Sequence, residues 1–179
     1  MKKLFFMVFL VSMFSFVSSG LTAEQKMHAC TLLTSGEVGS AIGEGQVGQS
    51  QESDVVIPEG PSKGKTMGVC MWPIHDRQGI VTVNIIPMSQ GAQRAEGLAK
   101  FKEAFDKLKA KGWTEEKKEF GNQTCVTMTP PSSEKNAPIL TSCMAEARGL
   151  GISVGTMSQK KVSIERVKML LDKAIGRFH

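Results

Sequence analysis

The chain has 179 residues, of which 22 are Lys or Arg and 17 are Asp or Glu, giving a formal charge of +5. This length suffices for one domain with a substantial core. The charges are mixed along the chain and tyrosine is absent, so no basic stripe interleaved with aromatic residues marks a nucleic-acid surface.

The first 23 residues have the pattern of an export signal. Lys2 and Lys3 precede an apolar run over 4–17, and small residues follow up to Ala23. A run of about 14 residues is too short to span a bilayer core that needs about 20. We therefore predict a signal peptide over 1–23, a single domain over 24–179, a periplasmic or secreted location, and no membrane span after signal removal. Loss of the two lysines lowers the formal charge to +3.

A short helix is predicted after Leu33. Thr34 and Glu37 have the spacing of a capping box, and Leu33 and Val38 have that of a hydrophobic staple. Gly43 is a typical residue at the C-terminal end. Because a helix of about nine residues is marginal by itself, we expect packing to hold it.

The next segments predict a loop and three strands. The region 44–65 is rich in Gly, Gln, Ser and Pro, and within it only 54–57 has a strand pattern. Two further strands are predicted over 67–74 and 80–87, joined by a short turn.

A longer helix is predicted over 90–111, where Leu98, Phe101, Phe105 and Leu108 recur at helical spacing. The remaining predicted elements are strands over 113–120, 123–129, 139–147 and 150–156 and an amphipathic helix over 163–178. Strand pairs joined by short turns favour an antiparallel sheet. The predicted fold class is therefore α+β, with about six to seven antiparallel strands packed against two or three helices and two disulfides.

Four cysteines, Cys30, Cys70, Cys125 and Cys143, lie at wide spacings without a CxxC pair. Export predicts that they form disulfides. Four cysteines allow three pairings, and the sequence alone does not choose between them. If the strands around the loop 129–138 form a hairpin, Cys125 would face Cys143, which leaves Cys30 with Cys70.

Methionine and histidine suggest an alternative role as a periplasmic copper carrier. Thioether and imidazole groups suit Cu(I), and five such residues lie near Cys30 or Cys70 in the sequence. The candidate metal set is Met27, His28, Met67, Met71 and His75. Methionine also fills irregular apolar cores, which is its commoner role.

The N-terminal half resembles a family of small envelope proteins, many of them lipoproteins, that is common in actinobacteria. The resemblance rests on Cys30, the run Leu32-Leu33-Thr34 with Glu37 and Val38, and the later Cys70-Met71-Trp72. It implies an α/β sandwich related to PsbP-like domains, a Cys30–Cys70 disulfide and no established catalytic activity. The residues before Cys30 do not form a lipoprotein signal, so membrane anchoring is not expected.

No convergent catalytic or cofactor motif occurs in the sequence. We therefore expect no catalytic residues, no cofactor, and a binding or accessory role toward an envelope protein or a small ligand. Because scaffolds commonly present function on loops, the regions 44–65 and 129–138 are the predicted contact surfaces.

Overall fold

The order of elements in the structure follows the predicted one. The structure is a computed structural model that describes residues 28–43, 47–58, 62–75, 79–88 and 92–178, so the predicted signal over 1–23 and Met27 lie outside the described residues. A 3-10 turn, Ala29–Thr31, precedes the regular elements. These are α1 (Ser35–Ile42), β1 (Gln51–Val56), β2 (Thr66–Ile74), β3 (Gly79–Pro87), α2 (Ala92–Ala110), β4 (Thr114–Phe120), β5 (Gln123–Thr129), β6 (Ile139–Ala147), β7 (Leu150–Ser158) and α3 (Ile164–Arg177).

The seven strands form one antiparallel sheet in the order β1-β2-β3-β7-β6-β5-β4. The chain therefore builds a three-stranded unit, crosses through α2, and returns with a four-stranded unit whose last strand pairs with β3. An antiparallel sheet with three helices and two disulfides is confirmed. Strands rather than helices make up most of the regular structure, so the α+β description holds only in this broad sense.

The start of α1 shows why local sequence signals were reliable there. The Thr34 hydroxyl accepts from the Glu37 N–H, and the Glu37 carboxylate accepts from the Thr34 N–H. This is the predicted capping box. The predicted staple residues Leu33 and Val38 are both buried in the core.

The region 44–65 contains more strand than predicted. β1 begins at Gln51, three residues before the predicted start, and pairs along its length with β2. Its residues are almost all exposed, so no hydrophobic alternation marked the early part of this strand in the sequence. The prediction of a mainly irregular loop over this region was therefore too broad.

Both disulfides join segments that the fold brings together. Cys125 and Cys143 face each other across β5 and β6, with a Cα–Cα distance of 4.0 Å. Cys30 is bonded to Cys70 on β2, with a Cα–Cα distance of 4.9 Å. The pairing that the hairpin argument favours is the one observed, and it leaves no free thiol in the chain.

The main hydrophobic core lies on one side of the sheet. Strand alternation places Cys70 and Cys143 on the same side, which we call the first face. The 3-10 turn contacts β2 and β3, while α3 contacts β6 and β7 and is itself contacted by α1. Leu32, just after the 3-10 turn, is buried in this core together with the following residues of the turn and helices: Ala29, Val38, Ala41, Ile42, Ile164, Val167, Leu170, Leu171 and Ala174.

Candidate functional site

The opposite side of the sheet, called the second face, differs in composition from the first. Its members are the strand residues that alternate with the core positions, such as Met71 beside Cys70 and Ser142 beside Cys143. Two buried hydrophobic residues of this face, Val69 and Met128, are not part of the main core cluster. The second face is thus a separate, mostly half-buried layer.

Methionine is segregated on the second face. The described residues include seven methionines, and five of them project from strands on this face: Met67, Met71, Met128, Met144 and Met157. The sulfur of Met88 lies over Gly151 on the same face, since a Cβ built on that glycine would be 2.9 Å from it. Met169 on α3 is the exception. None of the seven described methionines belongs to the buried cluster of the first face.

Four of the six second-face methionines lie in two apolar bands near opposite ends of the strands, and Met71 and Met144 lie between the bands. One band is a register row across five strands, in which each residue pairs with the next: Pro73, Ile80, Met157, Leu140 and Met128. The other band contains Met67, Ile86 and Met88, with the exposed Val55 at its β1 end.

A lane of uncharged polar residues separates the two bands. It occupies the inner part of two neighbouring rows, with Thr82, Gly155 and Ser142 in one row and Asn84 and Ser153 in the other. The residues that flank these inner members in the same rows are apolar: Met71, Val126, Val69 and Met144. The Asn84 amide donates to the Ser153 hydroxyl across β3 and β7, with an N–O distance of 3.0 Å. A Cβ on Gly155 would lie 3.2 Å from the Thr82 hydroxyl oxygen, so a glycine at this position avoids a close contact with Thr82.

The candidate copper ligands are distributed over different parts of the molecule. The Nδ1 atom of His28 lies 3.4 Å from Oε2 of Glu52. Glu52 is on the first face, because its register partner is Cys70. Met67 and Met71 lie on the second face, separated by about 13 Å along β2. His75 follows the end of β2 and packs near Gly48. The four described members of the set therefore have no common centre.

The second-face methionines are spread over the sheet, which favours an apolar surface over a set of ligands for one metal ion. Each one pairs in register with a residue other than methionine: Met71, for example, lies between Gln51 and Thr82, and Met157 lies between Ile80 and Leu140. Within the described ranges, no group of three or more His, Cys, Asp or Glu side chains is placed to hold a metal ion.

The strongest electrostatic feature of the described chain lies away from this face and is structural. The Glu37 carboxylate accepts two hydrogen bonds from Arg177, at 2.6 and 2.8 Å, and one from Lys173, at 3.2 Å. The Arg177 guanidinium and then the Thr34 N–H hold the pKa of Glu37 far below its usual range. This cluster fastens the beginning of α1 to the end of α3.

Sequence reasoning missed the second face as a unit. The usable signal was position parity: Met67 and Met71 alternate with Cys70 and Trp72 along one strand, and Met144 follows Cys143 directly. Parity places Met67, Met71, Met128 and Met144 on the side of their strand opposite to its cysteine. Assembling them into bands also requires the register between strands far apart in sequence.

Comparison with known proteins gives one structural neighbour. No protein-family model matches the chain, and no curated protein sequence matches it significantly. The fold is similar to the crystal structure of the extracellular domain of PknH from Mycobacterium tuberculosis, with a TM-score of 0.52 and 12% sequence identity. The match covers 87% of this chain and 98% of that domain. At this identity the likeness concerns the fold alone.

The two disulfides are typical of proteins that fold in an oxidising compartment. In the described part of the chain, no helix has both the length and the apolar character needed to cross a membrane. The resemblance to PsbP-like envelope proteins stays a prediction.

Proposed function

We propose that this chain is an exported accessory protein of the cell envelope that binds its partner through the second face of the sheet. The observation that carries the proposal is the segregation of methionine: the second face has six of the seven described methionines, and the first-face core has none. Methionine side chains are flexible and polarizable, so they adapt to irregular apolar partners.

In this proposal the first face of the sheet stabilises the fold and the second face binds the partner. The first face is closed by α3, α1 and the 3-10 turn, and it contains both disulfides. The second face can therefore present adaptable side chains without weakening the core. Each band includes one well-exposed apolar side chain, Met157 at 44% exposure in one and Val55 at 40% in the other.

The pattern of the second face indicates what kind of partner it suits. The inner lane residues Thr82, Asn84, Ser142 and Ser153 offer hydroxyl and amide groups and have no charge. The bands on either side are apolar. A partner with an uncharged polar strip flanked by apolar groups would match both features, whether it is a protein segment or a small amphipathic molecule.

Two methionines of equal exposure provide the test. Met157 on the second face is 44% exposed, and Met169 on α3 is 43% exposed. Met157→Lys should abolish retention of the envelope partner from a detergent extract of the source organism, whereas Met169→Lys should leave it intact. Equal retention by both variants, with both folded by circular dichroism, would contradict the proposed binding surface.

A further inference from the structure

The two edges of the sheet are protected to different degrees. The β4 edge has five consecutive charged residues over 115–119, and these are engaged in ion pairs such as Lys117–Glu119 and Lys118–Glu165. Charged side chains of this kind prevent the pairing of additional strands. The opposite edge, β1, has no lysine and no proline, and it ends in the exposed residues Val55 and Val56, the latter 61% exposed.

The direction of the free hydrogen-bonding groups of β1 follows from the ladder with β2. The Ile57 N–H donates to the Lys65 carbonyl at 2.9 Å, immediately beyond the last register pair of the two strands. Because antiparallel strands alternate in which residues bond to the neighbour, Ser53 and Val55 turn their backbone groups toward β2. Glu52, Asp54 and Val56 therefore present their N–H and C=O groups at the edge that no other described strand covers, which we call the free edge.

The side chains at this edge have unequal roles. The Glu52 carboxylate is held by the Cys30 N–H at 3.1 Å and lies against His28. Asp54 is exposed and has no ion pair among the described residues. A strand that pairs with β1 would thus have one side chain opposite the carboxylate of Asp54. Its next side chain on the same face would lie opposite the exposed Val56.

A second copy of this chain is a poor occupant of the edge. Two copies related by a twofold axis through the sheet must pair residues that point to the same face. Centring the pair on Ser53 places Glu52 opposite Asp54 of the other copy, and centring it on Asp54 places that residue opposite itself. Centring it on Val55 avoids like charges but places Pro58, which has no N–H to donate, opposite Glu52. Like charges directly opposite each other on adjacent strands are destabilising.

We infer that the free edge of β1 binds, by strand addition, an extended peptide segment that carries Lys or Arg opposite Asp54 and an apolar residue opposite Val56. Backbone bonds at Glu52, Asp54 and Val56 supply the pairing, and the basic residue supplies the selectivity. This surface lies at the edge of the sheet and is separate from the second face. Its occupancy does not depend on the function proposed above.

The probe is a seven-residue peptide, Thr-Val-Thr-Lys-Thr-Lys-Thr, capped at both ends. Its matched control replaces both lysines with glutamate. The full chain should bind the lysine peptide at least about tenfold more tightly than the glutamate peptide at low salt. Asp54→Lys should reverse this preference. The introduced lysine would repel the lysine peptide and attract the glutamate peptide.

Amide exchange locates the contact. On addition of the lysine peptide, the amides of Glu52, Asp54 and Val56 should gain protection, while those of Ser53 and Val55 should change little because they already bond to β2. Asp54→Pro should remove this binding without unfolding the sheet, since proline is tolerated where an edge N–H faces solvent. Binding to neither peptide, protection confined to other strands, or self-association through β1 would overturn the inference.

Discussion

Replacing Glu37 by glutamine tests the cluster that joins α1 to α3. The substitution keeps one carbonyl oxygen that can accept from Thr34 but removes the charge and one of the two acceptors for Arg177. The Glu37 side chain is 18% exposed and that of Arg177 is 42% exposed, so solvent screens part of the interaction. We expect the free energy of unfolding to fall by about 1–2 kcal/mol at pH 7, between the values for an exposed pair and for a charged hydrogen bond.

The pH dependence distinguishes this cause from a general loss of packing. Because folding lowers the pKa of Glu37, its contribution is complete above the unfolded-state pKa of about 4.3 and is lost as the pH falls below that value. The difference between the wild type and Glu37→Gln should therefore be constant from pH 6 to 8 and shrink below pH 4. Urea titrations at several pH values measure it directly.

Glu134→Gln is the matched control, because Glu134 is exposed and has no side-chain ion pair among the described residues. Its change should stay within about 0.5 kcal/mol at every pH. If Glu37→Gln is as stable as the wild type at pH 7, or if its deficit is the same at pH 3 and pH 7, the charge cluster does not fasten the two helices.

Three further variants probe the disulfide between β5 and β6, the contact of β3 with β7, and the cap of α1. Cys125→Ser with Cys143→Ser removes an 18-residue cross-link and should lower stability by about 3 kcal/mol in urea titrations; an unchanged midpoint under oxidising conditions would argue against that estimate. Gly79→Ala should cost about 1–3 kcal/mol, because its Cβ would lie 2.6 Å from the Met157 carbonyl oxygen, and a wild-type melting temperature would show that the strands shift freely. Thr34→Ala should cost about 1 kcal/mol through loss of the helix cap, measured by thermal denaturation, with Thr34→Ser as the variant that retains most of it.

Local chemistry determined how much of the fold could be predicted. The capping box at Thr34 defined the start of α1 to the residue, and the symmetric placement of Cys125 and Cys143 around a polar loop favoured the pairing that is observed. In both cases the partners are close in sequence. β1 was only partly identified, because an exposed edge strand has no alternation between buried and exposed residues to reveal it.

The candidate site was harder to predict from the sequence because it depends on pairing between strands that are distant in sequence. The band containing Met157 forms only when β7 pairs with β3 on one side and with β6 on the other, and nothing local in the sequence specifies the β3–β7 pairing. The methionines near Cys30 and Cys70 suggested copper ligands because sequence proximity was the only available guide. The sheet places Met67 and Met71 on the face opposite the Cys70 disulfide instead.

Photo-crosslinking in the living cell tests the central claim most directly. A photoactivatable residue is placed at Met157 on the second face or at Met169 on α3, two positions with 44% and 43% exposure. We predict a discrete cross-linked species in the envelope fraction from position 157 and none from position 169. Equal cross-linking at both positions, or capture from position 169 alone, would contradict a binding role for the second face.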